Sequence, residues 1–187
     1  MLGLEQWTRK KFFLTAIFAA ATFAASFALG NAITIALGPG TSGIVTIIIT
    51  TILVVICAKL VETPGVFTLV VCLFTIFAIP TNMFGPPGPH KIIIGITTGF
   101  AYDFLWNITG RKKFISLPTA AGIATGLSIV LIFCLMVYLD YPKKDYLQSI
   151  LKYIIPLYVI LGAIGGLIGE WIYERSLSRL SIVKQLK

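Results

Sequence analysis

Charge is the scarcest property of this sequence. Its 187 residues include 15 Lys plus Arg and 7 Asp plus Glu, 12% in all, where an ordinary soluble domain carries about 25%. Histidine occurs once, as His90. That excludes HExxH zinc sites and leaves any Ser-His dyad dependent on a single loop residue. The three cysteines, Cys57, Cys72 and Cys134, lie within apolar runs and form no CxxC pair. They read as packing residues, and neither a disulfide framework nor a metal or redox centre is expected. The GxxxxGK[ST] phosphate loop and the GxSxG serine elbow are also missing, which removes the usual ATPase and hydrolase machinery. No cofactor is expected, and the chain does not read as an enzyme.

What is abundant is apolar surface. Residues of the AVILMFWYC set make up 57% of the chain, and its mean hydropathy is +0.95. A soluble globule of this size has too little interior to hide that surface, and disordered chains are poor in hydrophobics. The composition therefore specifies an integral membrane protein, read as a single transmembrane domain over 1–187. The net charge of +8 would suggest nucleic acid in a soluble protein. Here topology explains it, because Lys and Arg collect on the cytoplasmic side of membrane proteins. No nucleic-acid partner is expected.

Apolar runs near the length needed to cross a bilayer, about 20 residues, occur at 12–36, 44–61, 64–83, 91–108, 115–139 and 148–173. Thr63-Pro64 reads as an N-cap followed by a first-turn proline for the third. A basic stretch before the first run resembles a signal peptide, but the run is long and further spans follow it, so a retained helix is expected. With a cytoplasmic N-terminus the inner segments hold Arg9, Lys10, Lys11, Lys59, Arg111, Lys112, Lys113, Arg175, Arg179, Lys184 and Lys187. The outer ones hold only Lys91, Lys143, Lys144 and Lys152. This asymmetry predicts an all-α bundle of six transmembrane helices with both termini cytoplasmic, in the cell (plasma) membrane.

Three features bear on function. In the first span Ala16, Ala20, Ala24 and Ala28 recur at i,i+4, a stripe of small residues that lets another backbone approach closely. It is expected to dock another subunit, while Gly122 with Gly126 and Gly162 with Gly166 pack within the bundle. The outer loops 37–43 and 80–91 are rich in Gly and Pro, which suits compact structures over the bundle mouth. The second carries Asn82, His90 and Lys91. In the fourth span Lys91, Gly95, Thr98 and Tyr102 fall on one helix face. The ammonium of Lys91 is expected to meet a carboxylate or phosphate on a ligand, with Asn82 and Tyr153 supplying neutral hydrogen bonds. Asp103, deeper and to one side, is expected to pair with Lys59 or Arg111.

About 190 residues, six spans, both ends inside and the Ala16-Ala20-Ala24-Ala28 register resemble the S components of energy-coupling factor (ECF) transporters. These are the substrate-binding membrane subunits of vitamin and micronutrient importers. The resemblance implies a ligand pocket at the outer face, built from the later helices and covered by the loop between helices one and two, where Thr41 and Ser42 would form part of the lid. It implies docking through the first-helix alanines onto a T-component transmembrane subunit, with two ABC-type ATPases supplying energy. The loop from Phe84 to Lys91 is faintly similar to the GPTGGY stretch of biotin-specific members but departs after its first Gly-Pro, so biotin is not implied. The alternative reading is a stand-alone permease or channel, with Asp103 and Glu170 as its intramembrane carriers.

Overall fold

The computed structural model describes residues 7–38, 42–110, 116–140 and 144–178, with the backbone alone at 42 and 144–150. All regular structure among these residues is helical: α1 (Arg9–Leu37), α2 (Ser42–Val61), α3 (Val66–Ala78), α4 (His90–Thr109), α5 (Ser116–Tyr138) and α6 (Lys144–Ile172). A π-helical turn over Tyr173–Leu177 follows α6. Five helices are long and apolar enough to cross a membrane, and α3 is shorter. Its 13 residues extend roughly 20 Å, against about 30 Å of bilayer hydrocarbon. The expected third span of 64–83 is thus too long. Its last residues, from Ile79 onward, turn into the loop that leads to α4.

Contacts along the helices fix their directions. Thr50 of α2 meets Ser26 of α1 at 2.8 Å, while Lys11 at the start of α1 reaches Thr63 beyond the end of α2, so these two run antiparallel. Thr68 pairs with Asp103 and Ala78 with Lys91, which makes α3 and α4 antiparallel. Tyr102 meets Thr125 and Thr109 meets Ser116, giving the same relation for α4 and α5. Helices α2 and α6 run parallel, with Gly43 beside Tyr158 and Lys59 bonded to Glu170. Odd helices therefore run one way and even helices the other. Trp7, bonded to the Pro64 carbonyl at 3.1 Å, and Tyr173, packed with Ile56 and Leu60, lie at the same end of the bundle. Arg9, Lys10, Lys11, Lys59 and Arg175 gather there, away from the turns after α1, α3 and α5.

Close backbone approach holds the bundle together at several seams, of which two position the site. At the first, α5 and α6 cross where a Cβ on Gly122 would stand 2.7 Å from the Val159 carbonyl and one on Gly166 2.9 Å from Pro118 Cα. These are the internal packing roles expected of the two glycine pairs. The second joins α3 to α4, where a Cβ on Gly99 would lie 2.5 Å from Thr68 Cα. Beside it Phe67 stacks on Tyr102 at 4.9 Å and meets Trp106 edge-on at 5.4 Å. Such ring pairs add about 0.5–1.5 kcal/mol beyond their area burial.

The ends of α3 correct two expectations. Its N-cap is Gly65, in the left-handed region at φ 83°, and no side chain on its own strand of chain caps it; Thr63 instead turns its hydroxyl onto the Val61 carbonyl. The capping group comes from α4. Asp103 accepts from the Thr68 N–H at 2.8 Å and from its hydroxyl at 2.7 Å, so its partner is Thr68 and not Lys59, while Arg111, the other expected partner, lies outside the described residues. Lys59 forms its ion pair with Glu170.

Candidate functional site

At the end of the bundle opposite Trp7 and Tyr173 the helices part around a cavity of about 1170 Å³, at or above the size of typical small-molecule sites, roughly 300–1000 Å³. Helix α1 contributes Ser26, Gly30, Asn31 and Thr34; α2 contributes Gly43, Thr46 and Ile47. The α3–α4 loop adds Thr81 to Gly85, α5 adds Ser128, Ile129, Ile132, Phe133 and Met136, and α6 adds Leu151, Ile154 and Tyr158. The α5 wall is apolar and the α1–α2 wall carries hydroxyl and amide groups. None of the described lining residues is charged.

Below it lies a second space of about 70 Å³. Thr46, Ile47, Phe84 and Ser128 line both, and so form the neck between them. Hydroxyls dominate the polar lining of the lower chamber: Thr46, Thr50, Thr51, Thr75, Thr98, Tyr102, Thr125 and Ser128. Phe84 reaches this neck from an uncommon backbone conformation, φ 60°, next to Gly85 at φ 103°. A bulky residue in the left-handed region is strained unless its surroundings hold it, and the Phe84 ring is held edge-on against Phe74 at 5.7 Å.

The residues singled out in the sequence divide between these spaces and positions outside them. Asn82 lines the outer cavity, and Thr98 and Tyr102 line the lower chamber. Lys91 lines neither. Its side chain is fully buried, 0% exposed, and its ammonium donates to the carbonyls of Ala78, at 2.9 Å, and Thr81. Those carbonyls stand at and just beyond the C-terminal end of α3, where the helix dipole favours a cation; Ala78 also accepts from the Thr81 N–H and hydroxyl. His90, the first residue of α4, packs back on Gly88. Tyr153 is 67% exposed, its ring under the Lys152 ammonium at 4.9 Å. Thr41 and the Ser42 side chain lie outside the described residues.

The alanine stripe faces outward. Ala20, Ala24 and Ala28 are exposed and Ala16 is partly so, while α1 turns Thr15, Ala19, Thr22, Ser26 and Gly30 into the bundle.

Several site residues escaped the sequence reading: Thr46, Thr50 and Thr51 on α2, Thr125 and Ser128 on α5, and Tyr158 on α6. The available signal was hydroxyl residues recurring at helical spacing inside apolar spans, a pattern that marks an inward face. Comparison with known protein families, curated proteins and solved structures finds no match for this chain.

Proposed function

We propose that this chain is the substrate-binding membrane subunit of an importer, similar in role to the S components of ECF transporters. It would capture a vitamin-like micronutrient from outside and deliver it with a T-component subunit and two ABC-type ATPases. One observation carries the reading: a cavity of about 1170 Å³ at one end of an apolar helical bundle, with an apolar wall on α5 and a hydroxyl- and amide-bearing wall on α1 and α2. That arrangement suits an amphipathic molecule held by its faces. Among the described basic residues Arg9, Lys10, Lys11, Lys59 and Arg175 stand at the other end, against Lys91, Lys144 and Lys152 at this one, a bias that supports an outward cavity with cytoplasmic chain ends under the positive-inside rule. Counting α3 as a pass gives six. The exposed alanines of α1 support a docking face for the T component.

A stand-alone permease is less well supported. It needs ionisable carriers inside the spans, and both candidates have structural partners, Asp103 on Thr68 and Glu170 on Lys59.

The test is to purify the protein in mild detergent, denature it and identify released small molecules by mass spectrometry, with co-purifying proteins identified in parallel. A stoichiometric small molecule together with an ATPase-bearing partner is the expected result. An empty protein that alone conducts solute in liposomes would refute the reading.

A further inference from the structure

The lower chamber contains a buried polar atom with nothing to bond. Thr98 is 5% exposed, and its hydroxyl has no hydrogen-bond partner among the described residues. Other helical threonines here avoid this by turning the hydroxyl onto the carbonyl four residues earlier: Thr15 onto Lys11, Thr22 onto Phe18, Thr34 onto Gly30, Thr109 onto Leu105 and Thr125 onto Ala121. Thr98 lines the chamber instead. A buried hydroxyl left unsatisfied costs about 1–3 kcal/mol, so this position asks for a guest.

The neighbouring hydroxyls define what the guest must offer. Thr75 donates to the Cys72 carbonyl at 2.9 Å, Ser128 to the Thr125 carbonyl at 2.7 Å and Thr125 to the Ala121 carbonyl at 2.6 Å. With the Thr125 proton spent, the 3.1 Å contact between Thr125 and Tyr102 must use the proton of Tyr102. Each hydroxyl has one proton and two lone pairs. These four oxygens therefore face the chamber chiefly as acceptors, and Thr98 is the buried hydroxyl of the lining that has no partner among the described residues. No charged residue is among the described lining, and an ion buried without a counter-charge is strongly disfavoured.

We infer that the lower chamber is a subsite for an uncharged, hydrogen-donating group of the ligand, a hydroxyl or an amide N–H, which enters from the outer cavity through the neck at Phe84 and Ser128. The volume of about 70 Å³ admits a group the size of roughly two waters, so the body of the ligand stays above, against Ile129, Ile132 and Phe133. The inference rests on the binding-subunit reading and names its ligand class: a neutral amphipathic molecule with a donor at one end. It replaces the anionic ligand expected from Lys91.

The test uses small thiol reagents as probes. Cys72 and Cys134 are replaced by alanine, buried Cys57 is kept, and single cysteines are introduced as Ile132→Cys in the outer cavity and Thr98→Cys in the chamber. Intact cells receive 2-hydroxyethyl, propyl, 2-ammonioethyl or 2-sulfonatoethyl methanethiosulfonate from outside. The expected result is modification of Ile132→Cys by all four. At Thr98→Cys, normalised to Ile132→Cys, the hydroxyethyl reagent should react faster than both charged reagents by about tenfold or more, equivalent to 1.4 kcal/mol, and faster than the propyl one. No reaction at Ile132→Cys overturns the outward cavity and with it the binding-subunit reading. Reaction at Ile132→Cys with none at Thr98→Cys overturns the subsite alone. Charged or propyl reagents matching the hydroxyethyl reagent at Thr98→Cys overturn the neutral-donor assignment.

Discussion

Lys91 and Asp103, both on α4, close the two ends of α3. The ammonium of Lys91 bonds to the carbonyls of Ala78 and Thr81 at the C-terminal end, and the carboxylate of Asp103 takes the Thr68 N–H and hydroxyl at the N-terminal end. Twelve residues of helix separate them along α4, roughly 18 Å, which matches the length of α3. Each charge has the sign that complements the α3 dipole at its end. A helix too short to carry its ends out to both headgroup regions leaves unpaired backbone groups where water is scarce. The neighbouring helix supplies their partners.

Removing either charge should therefore loosen α3. Lys91→Met keeps the stem but removes the ammonium from both carbonyls, leaving Ala78 with the Thr81 N–H and hydroxyl as donors and costing about 1.5–3 kcal/mol for hydrogen bonds to a charged group. Asp103→Asn keeps an acceptor and should cost less, while Asp103→Leu should cost at least as much as Lys91→Met. Thermal unfolding in detergent gives the size of each effect, and amide exchange over 66–78 locates it. If Lys91→Met keeps full stability but loses a small molecule that co-purifies with the wild type, Lys91 is a ligand contact after all.

The clamp requires α3 and α4 to touch backbone to backbone. At Gly99 an added Cβ would meet Thr68 Cα at 2.5 Å and the Phe67 carbonyl at 2.9 Å, and neither can move without shifting α3. Gly99→Ala is expected to destabilise by about 1–3 kcal/mol, the usual range for overpacking, and Gly99→Val by more. Thermal unfolding should rank them in that order. A Gly99→Ala protein as stable as the wild type would mean that the seam is looser than its geometry implies.

The sequence made the helices legible and left their partners hidden. Hydropathy alone locates five long helices to within a few residues, except that α1 and α6 start earlier, at Arg9 and Lys144. It overextends α3 because the apolar Ile79 and Met83 continue the hydrophobic pattern into a turn. Lys91, Thr98 and Tyr102 do share a face of α4 and are all buried. Periodicity says which residues point the same way, but not what stands opposite. Lys91 meets the carbonyls that end α3, whereas Thr98 and Tyr102 line the lower chamber. Asn82 was accessible to reasoning because a Gly- and Pro-rich loop at the bundle mouth is an obvious rim. Tyr158 was not, since nothing in α6 distinguishes its face from that of the exposed Tyr153.

The Lys59–Glu170 pair ties α2 to α6 at the basic end of the bundle. Glu170 is 1% exposed and Lys59 14%, and the second carboxylate oxygen of Glu170 has no partner among the described residues. Removing one member strands the other, which typically costs about 3–5 kcal/mol, whereas replacing both by apolar residues is often close to neutral. Lys59→Met should lower the unfolding temperature sharply, and the double variant Lys59→Met with Glu170→Leu should recover most of the loss. A double-mutant cycle measures the coupling. Additive effects of the two substitutions would remove the pair from the account of stability.

Helix α1 offers a test in which two alanines on different faces should behave differently. Ala19 is fully buried, while Ala20 and Ala24 lie on the exposed stripe. Ala19→Trp forces an indole into a closed core and should prevent folding, as overpacking on that scale does. Ala24→Trp adds the same bulk where the bundle has no neighbour, so insertion, thermal stability and retention of any small molecule that co-purifies should match the wild type. If the stripe docks a second membrane subunit through close helix contact, that indole holds the partner away, and uptake by cells should fall to background while co-purification of the partner is lost. Ala24→Gly, which preserves close approach, should keep both. Normal uptake by Ala24→Trp would free this face of any docking role, and loss of folding would place Ala24 inside the bundle.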